Sequence, residues 1–131
     1  MPAGEYYVGD LCYVLHDRWD EFCSLTITGS RVLDGEFNLK DGTRFATYTT
    51  RWGDGTYSDE QGNNYDVDAG LIGCVALAAI NFADKSNFVT GGRIVEFAQD
   101  FTTFSAGGVI SFGTVSIDTD LVEEEELESE Y

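Results

Sequence analysis

The chain is poor in basic residues. Seven Lys and Arg stand against 24 Asp and Glu among 131 residues, a formal net charge of −17. Affinity for nucleic acid or for an anionic membrane comes from neutralising phosphates with Lys and Arg. This sequence cannot supply that, so neither direct nucleic-acid binding nor membrane binding is expected. Histidine and proline each occur once. With one histidine no His-based zinc set can be assembled, and no Cys-x-x-Cys pair replaces it. No glycine-rich phosphate loop precedes a helix, and the aspartate-rich stretch lacks the D-x-D-x-D-G order of an EF-hand. The longest apolar run, Leu71–Ile80, is about half of a membrane span. No charged-then-apolar leader opens the chain. With neither such a leader nor a span a cytoplasmic protein is expected, and in that reducing compartment the odd set Cys12, Cys23 and Cys74 reads most simply as free buried thiols.

What is present suits a single β-rich domain. Nine Phe, seven Tyr and two Trp are ample for a core, and fifteen glycines point to many tight turns. Eight acids crowd into Asp118–Glu130, and without them 16 acids still face seven bases, a net −9. Four consecutive glutamates, Glu123–Glu126, repel one another. The expected organisation is therefore a β-rich domain over 1–117 and an acidic flexible tail over 118–131.

Along the chain, Tyr6–Leu15 is aromatic and β-branched with a break at Gly9-Asp10, which reads as a strand, a kink and a second short strand. Asp17 can cap a following helix over Arg18–Leu25, where Trp19, Phe22 and Cys23 share one face. Asp41-Gly42 lies between alternating runs and suits a two-residue primed hairpin turn. Leu71–Leu77 is continuously apolar, as a strand buried on both faces would be. Short strands follow from Arg93 to Ile117, with Gly107-Gly108 as a second hairpin turn. The expected fold class is α+β: mostly antiparallel sheet, as a sandwich or partly open barrel, with one short helix. The expected core includes Tyr7, Phe22, Phe45, Ile72, Val75, Phe112, and also Ile94 and Phe104.

Chemistry concentrates in Trp52–Gly70, which holds four aspartates and a glutamate between two apolar runs. Gly-Asp-Gly and Gly-Asn-Asn are turn chemistry, so the segment reads as a hairpin with an acidic mouth. If Tyr57 faces Tyr65 across it, Asp54 falls opposite Asp68. Like charges directly opposed repel. Such a pair persists if a cation sits between, if one keeps its proton, or if both splay into water. Asp66, about 6.6 Å from Asp68 on the same strand face, could complete a hard-oxygen site for Mg²⁺ or Ca²⁺. The plain alternative makes these aspartates turn residues that bond backbone amides. Cys12 and His16 would lie about 13 Å apart on a strand, beyond the reach a nucleophile and its base need.

Four fragments, Tyr7-Val-Gly-Asp-Leu-Cys-Tyr-Val14, Trp19…Phe22-Cys23, Trp52-Gly-Asp-Gly-Thr-Tyr57 and Val67-Asp-Ala-Gly-Leu-Ile-Gly73, recur in order. The chain in this respect resembles a group of small, uncharacterised proteins of bacteria and their phages. The resemblance covers roughly residues 6–77 and implies no activity. Leu11 departs from it, standing where the group usually has proline. The resemblance adds Asp10 to the acidic set, together with Tyr13 beside Cys12. The candidate binding residues are thus Asp10, Asp54, Asp68, Tyr13 and Tyr57.

Two functions fit. The first is a small acidic non-enzymatic binding protein, a phage accessory or host-directed inhibitor engaging a basic protein surface, because long-range attraction follows net charge. The second is a metal-dependent hydrolase or small-ligand-binding protein built on Asp10, Asp54 and Asp68.

Overall fold

A computed structural model describes residues 1–80 and 92–119. In chain order the elements are β1 (Gly4–Gly9), α1 (Trp19–Thr26), β2 (Ile27–Thr28), β3 (Arg31–Val32), β4 (Gly35–Asn38), β5 (Arg44–Thr49) and β6 (Gly55–Ser58). They continue with β7 (Asn64–Val67), β8 (Leu71–Ala76), β9 (Gly92–Phe97), β10 (Thr103–Ala106), β11 (Val109–Phe112) and β12 (Val115–Asp118). The fold is mostly antiparallel β, with one α-helix among the described residues. The central sheet has the order β4-β5-β8-β1-β9, β10-β11-β12 form a second sheet, and β2-β3 and β6-β7 are separate hairpins. The sheets stay open rather than closing into a barrel. No helix among the described residues is long and apolar enough to cross a membrane.

Alternation along the central strands builds two cores. Tyr7, Phe45 and Val75 point to one face and pack with Leu11, Leu15 and Phe22 from the helical layer. Tyr6, Val8, Tyr48 and Ile72 point to the other and meet Tyr57, Tyr65, Ile110, Phe112 and Ile117 of the second β layer. Strand β8 lies between both cores and is buried from Leu71 to Val75, as its unbroken apolar run predicts. A β-bridge between Asp59 and Ile117 ties the β6-β7 hairpin to β12.

Across three strands of the central sheet one row carries no side chains, and on β5 it continues as Thr47. Gly92, Gly9 and Gly73 are cross-strand partners on β9, β1 and β8. A Cβ on Gly73 would overlap the Ala46 carbonyl and lie 2.7 Å from Leu11 Cδ1, and one on Gly92 would lie 2.8 Å from the Tyr7 ring. The bare row is the floor on which Leu11 and Tyr7 rest.

Four sequence expectations are corrected. No second strand follows Gly9, because Asp10 caps a 3₁₀ turn over Leu11–Tyr13 and Leu11 folds back over Gly73. Helix α1 begins at Trp19 without a side-chain cap, since Asp17 is taken into a preceding 3₁₀ turn over His16–Arg18. The β4-β5 connection is longer than Asp-Gly alone. Leu39 donates its N–H to Thr43 O and accepts from Gly42 N, and Gly42 sits at φ +91°. That is a three-residue loop with a glycine bulge. It slips the register by one and sets Phe37 opposite Phe45, whose rings stack at 5.6 Å. Ile94 and Phe104 are exposed, at 41% and 54%: Ile94 shares the face of its partner Tyr7 but lies on the edge strand β9, and Phe104 pairs with Ser111 on the face turned away from Ile110 and Phe112.

The Gly107-Gly108 turn is as expected, with both residues at positive φ and Ala106 facing Val109. At the C-terminal end Asp118 belongs to β12 and Thr119 is buried, its hydroxyl donating to Gly108 O. The expected loop at Ala83–Asn87 and the acidic stretch beyond Thr119 lie outside the described residues.

Candidate functional site

The hairpin of the acidic mouth has the expected register. Tyr57 faces Tyr65, and Thr56 faces Asp66. Both tyrosines are buried because they occupy the inward positions of a strand pair packed on the central sheet. The ladder ends at Gly55 and Val67, so Asp54 and Asp68 stand opposed just beyond it, both exposed.

Asp10 is drawn to this end of the hairpin, and it is wholly buried. Its Oδ1 accepts from Cys12 N at 2.9 Å, which starts the 3₁₀ turn. Its Oδ2 accepts from Asp68 N at 2.7 Å and from Ala69 N at 2.6 Å. The carboxylate therefore clasps the β7-β8 turn to the end of β1. Tyr13, carried on the same 3₁₀ turn, donates its hydroxyl to Asp68 Oδ2 at 2.5 Å. Tyr57 donates to Gly53 O at 2.9 Å, and Thr50 donates to the same oxygen at 2.6 Å, which shapes the Gly-Asp-Gly turn. Asp54 Oδ1 lies 3.9 Å from the place a Cβ on Gly70 would take.

Burial first, then a hydrogen bond and charge from Asp10, then the charges of Asp68 and Asp54, push the Cys12 thiol well above its ordinary range. Burial and then the bond to Asp68 likewise push the Tyr13 hydroxyl up. A thiol kept protonated is a poor nucleophile, which weighs against Cys12 in that role.

Asp66 goes elsewhere: its Oδ1 accepts from Thr56 across the hairpin at 3.1 Å. Among the described residues no group of three or more His, Cys, Asp and Glu side chains is arranged to hold a metal ion. With both Asp10 oxygens taken by amides, that carboxylate has its acceptors directed into the chain.

Two residues that sequence reasoning passed over tie the fold together. Asp59 closes the far end of the hairpin and accepts from Gln61 N, Asn63 N, Asn63 Nδ2, the Tyr65 hydroxyl at 2.7 Å and Arg93 at 3.3 Å. Burial alone would raise Asp59, but the Tyr65 hydroxyl and the Asn63 and Gln61 donors outweigh it and hold the carboxyl at about 2. An aspartate four residues before Asn63 with Gly62 between is a turn signature. The pairing with Arg93, 34 residues away, has no local signal. Arg18 similarly joins Asp41, Thr43 and the Ala79 carbonyl.

Among the described residues, hollows are found away from Asp10, Asp54 and Asp68. One of about 340 Å³ is lined by Asp59, Arg93, Val95 and Ser116. A wider groove of about 830 Å³ runs past Met1, Arg44, Glu96, Phe97 and Phe101.

Comparison with protein-family models, curated proteins and solved structures finds no match to this chain. The functional reading therefore rests on the geometry above.

Proposed function

We propose that this protein is a non-enzymatic binding protein whose acidic surface engages a basic protein partner. The observation that carries this is the division of its carboxylates. The inward ones, Asp10 and Asp59, have their oxygens taken by donors of the same chain. Asp54, Asp66 and Asp68 are exposed on a chain of net charge −17. Inward carboxylates that brace loops and outward ones that set a field are what electrostatic recognition needs. A hydrolase or small-ligand site on Asp10, Asp54 and Asp68 would need Asp10 to release amides that hold the β7-β8 turn, which weighs against it.

A host-directed or phage accessory role fits this reading, and a cytoplasmic setting suits the three free thiols. The test is the salt dependence of complex formation with a basic protein. Between about 0.05 and 0.5 M salt the affinity should fall by about tenfold or more, because exposed charge pairs are screened over this range. An affinity that ignores salt would overturn the proposal.

A further inference from the structure

We infer that the outer edge of β10 is the docking strand for that partner, which adds an extended segment of alternating basic and apolar residues to the second sheet. This rests on the proposed recognition of a basic protein.

Among the described residues, strand β10 is the outermost of its sheet and pairs only with β11. Phe104, Ser105 and Ala106 are exposed, whereas Ile110, Ser111 and Phe112 on the neighbouring strand are buried. Sheet edges are ordinarily blunted by Lys, Pro, a bulge or an inward charge. Thr-Phe-Ser-Ala has no charge and no proline, and its four pairs with β11 run without a bulge.

The pairing fixes what this edge presents. Gly107 and Gly108 both have positive φ, so they form a two-residue primed turn whose flanking pair, Ala106 and Val109, is hydrogen-bonded. Antiparallel pairs alternate. Phe104 is therefore also bonded to β11, and the N–H and C=O groups of Thr103 and Ser105 point outward. An added strand would find these groups in register, as in other cases of strand addition.

The flanking side chains set the sequence of the added strand. Thr103 faces the central sheet, where its hydroxyl meets Tyr48 at 2.8 Å and Glu36 Oε2 at 3.2 Å. A basic side chain entering on that side reaches the Glu36 carboxylate. On the opposite side an apolar side chain lies against Phe104, which is 54% exposed. A second copy of this chain is the disfavoured occupant, since each carries −17.

The test uses the full chain and a labelled peptide of about eight residues alternating Lys and Val. Fluorescence anisotropy should show binding that weakens with salt. Methylating the main-chain nitrogens along one edge of the peptide should reduce it by about tenfold or more, as should Ser105→Pro. Proline is tolerated there because the Ser105 N–H plays no part in the ladder to β11. If Ser105→Pro melts early, the methylated peptide decides alone. Glu36→Gln should flatten the salt dependence.

Salt-sensitive binding that ignores both Ser105→Pro and methylation overturns edge docking and leaves the acidic-surface reading standing. Binding blocked by Ser105→Pro but equal for a Glu-Val peptide overturns the basic partner. No binding of the Lys-Val peptide overturns the inference. Self-association abolished by Ser105→Pro would assign the edge to a second copy and overturn it also.

Discussion

Asp59 shows how a carboxylate can be held ionised against burial. Its donors include two backbone amides and the Tyr65 hydroxyl, and Arg93 completes the set. Asp59→Asn leaves Arg93 and Tyr65 with a weaker acceptor in a confined place. It should lower stability at pH 7 by about 2–4 kcal/mol, read from urea midpoints. The pH dependence follows from the sign of the shift. The folded carboxyl sits at about 2 against an ordinary 3.8, so its contribution is complete above 3.8 and is lost as pH falls through 2. The gap between wild type and Asp59→Asn should close over that window. A gap constant from pH 5 to pH 2 would mean that the charge of Asp59 is not what stabilises the hairpin. The thiols make a second case. Burial pushes Cys74 up to about 12, and Cys12 is raised for the same first reason. At pH 8 iodoacetamide should leave Cys74 unlabelled in the native chain and modify it readily in urea, counted by mass spectrometry.

Among the elements, the bare glycine row of the central sheet sets how closely the helical layer approaches. Gly73→Ala places a methyl against the Ala46 carbonyl and Leu11, and should cost about 1–3 kcal/mol of stability without altering the β-rich circular dichroism spectrum. An unchanged melting temperature would show that Leu11 moves aside freely. The hairpins show what could be read beforehand and what could not. The register of β6-β7 was legible because Tyr57 and Tyr65 alternate with polar residues around a Gly-containing turn. In β4-β5 the dipeptide Asp41-Gly42 fits either of two loops, and what selects between them is the packing of Phe37 on Phe45 and of both against the helical layer. Asp10 enters the acidic set only through the resemblance, and the residues alone mark it as a break after β1. Its inward turn toward the amides of Asp68 and Ala69 depends on Leu11 lying over Gly73, a contact between residues 62 positions apart. The capping of the first 3₁₀ turn by Asp10 is local chemistry, but the clasp is tertiary.

For the molecule as a whole, a charge of −17 opposes compaction as well as self-association. Raising ionic strength from about 0.02 to 0.5 M should therefore raise the melting temperature, by screening repulsion between exposed acids. A fall on adding salt would mean that ion pairs such as Arg18 with Asp41 outweigh the repulsion. The three layers also place a buried carboxylate beneath a surface turn. The amides of Asp68 and Ala69, in a bend whose side chains face water, end on Asp10 inside the protein. In deuterium oxide these two protons should behave as timekeepers of global opening, persisting as long as those of β8 while their neighbours vanish within the dead time. A ligand seated on the acidic mouth would leave that clock running at its old rate unless it first prised the hairpin from β1.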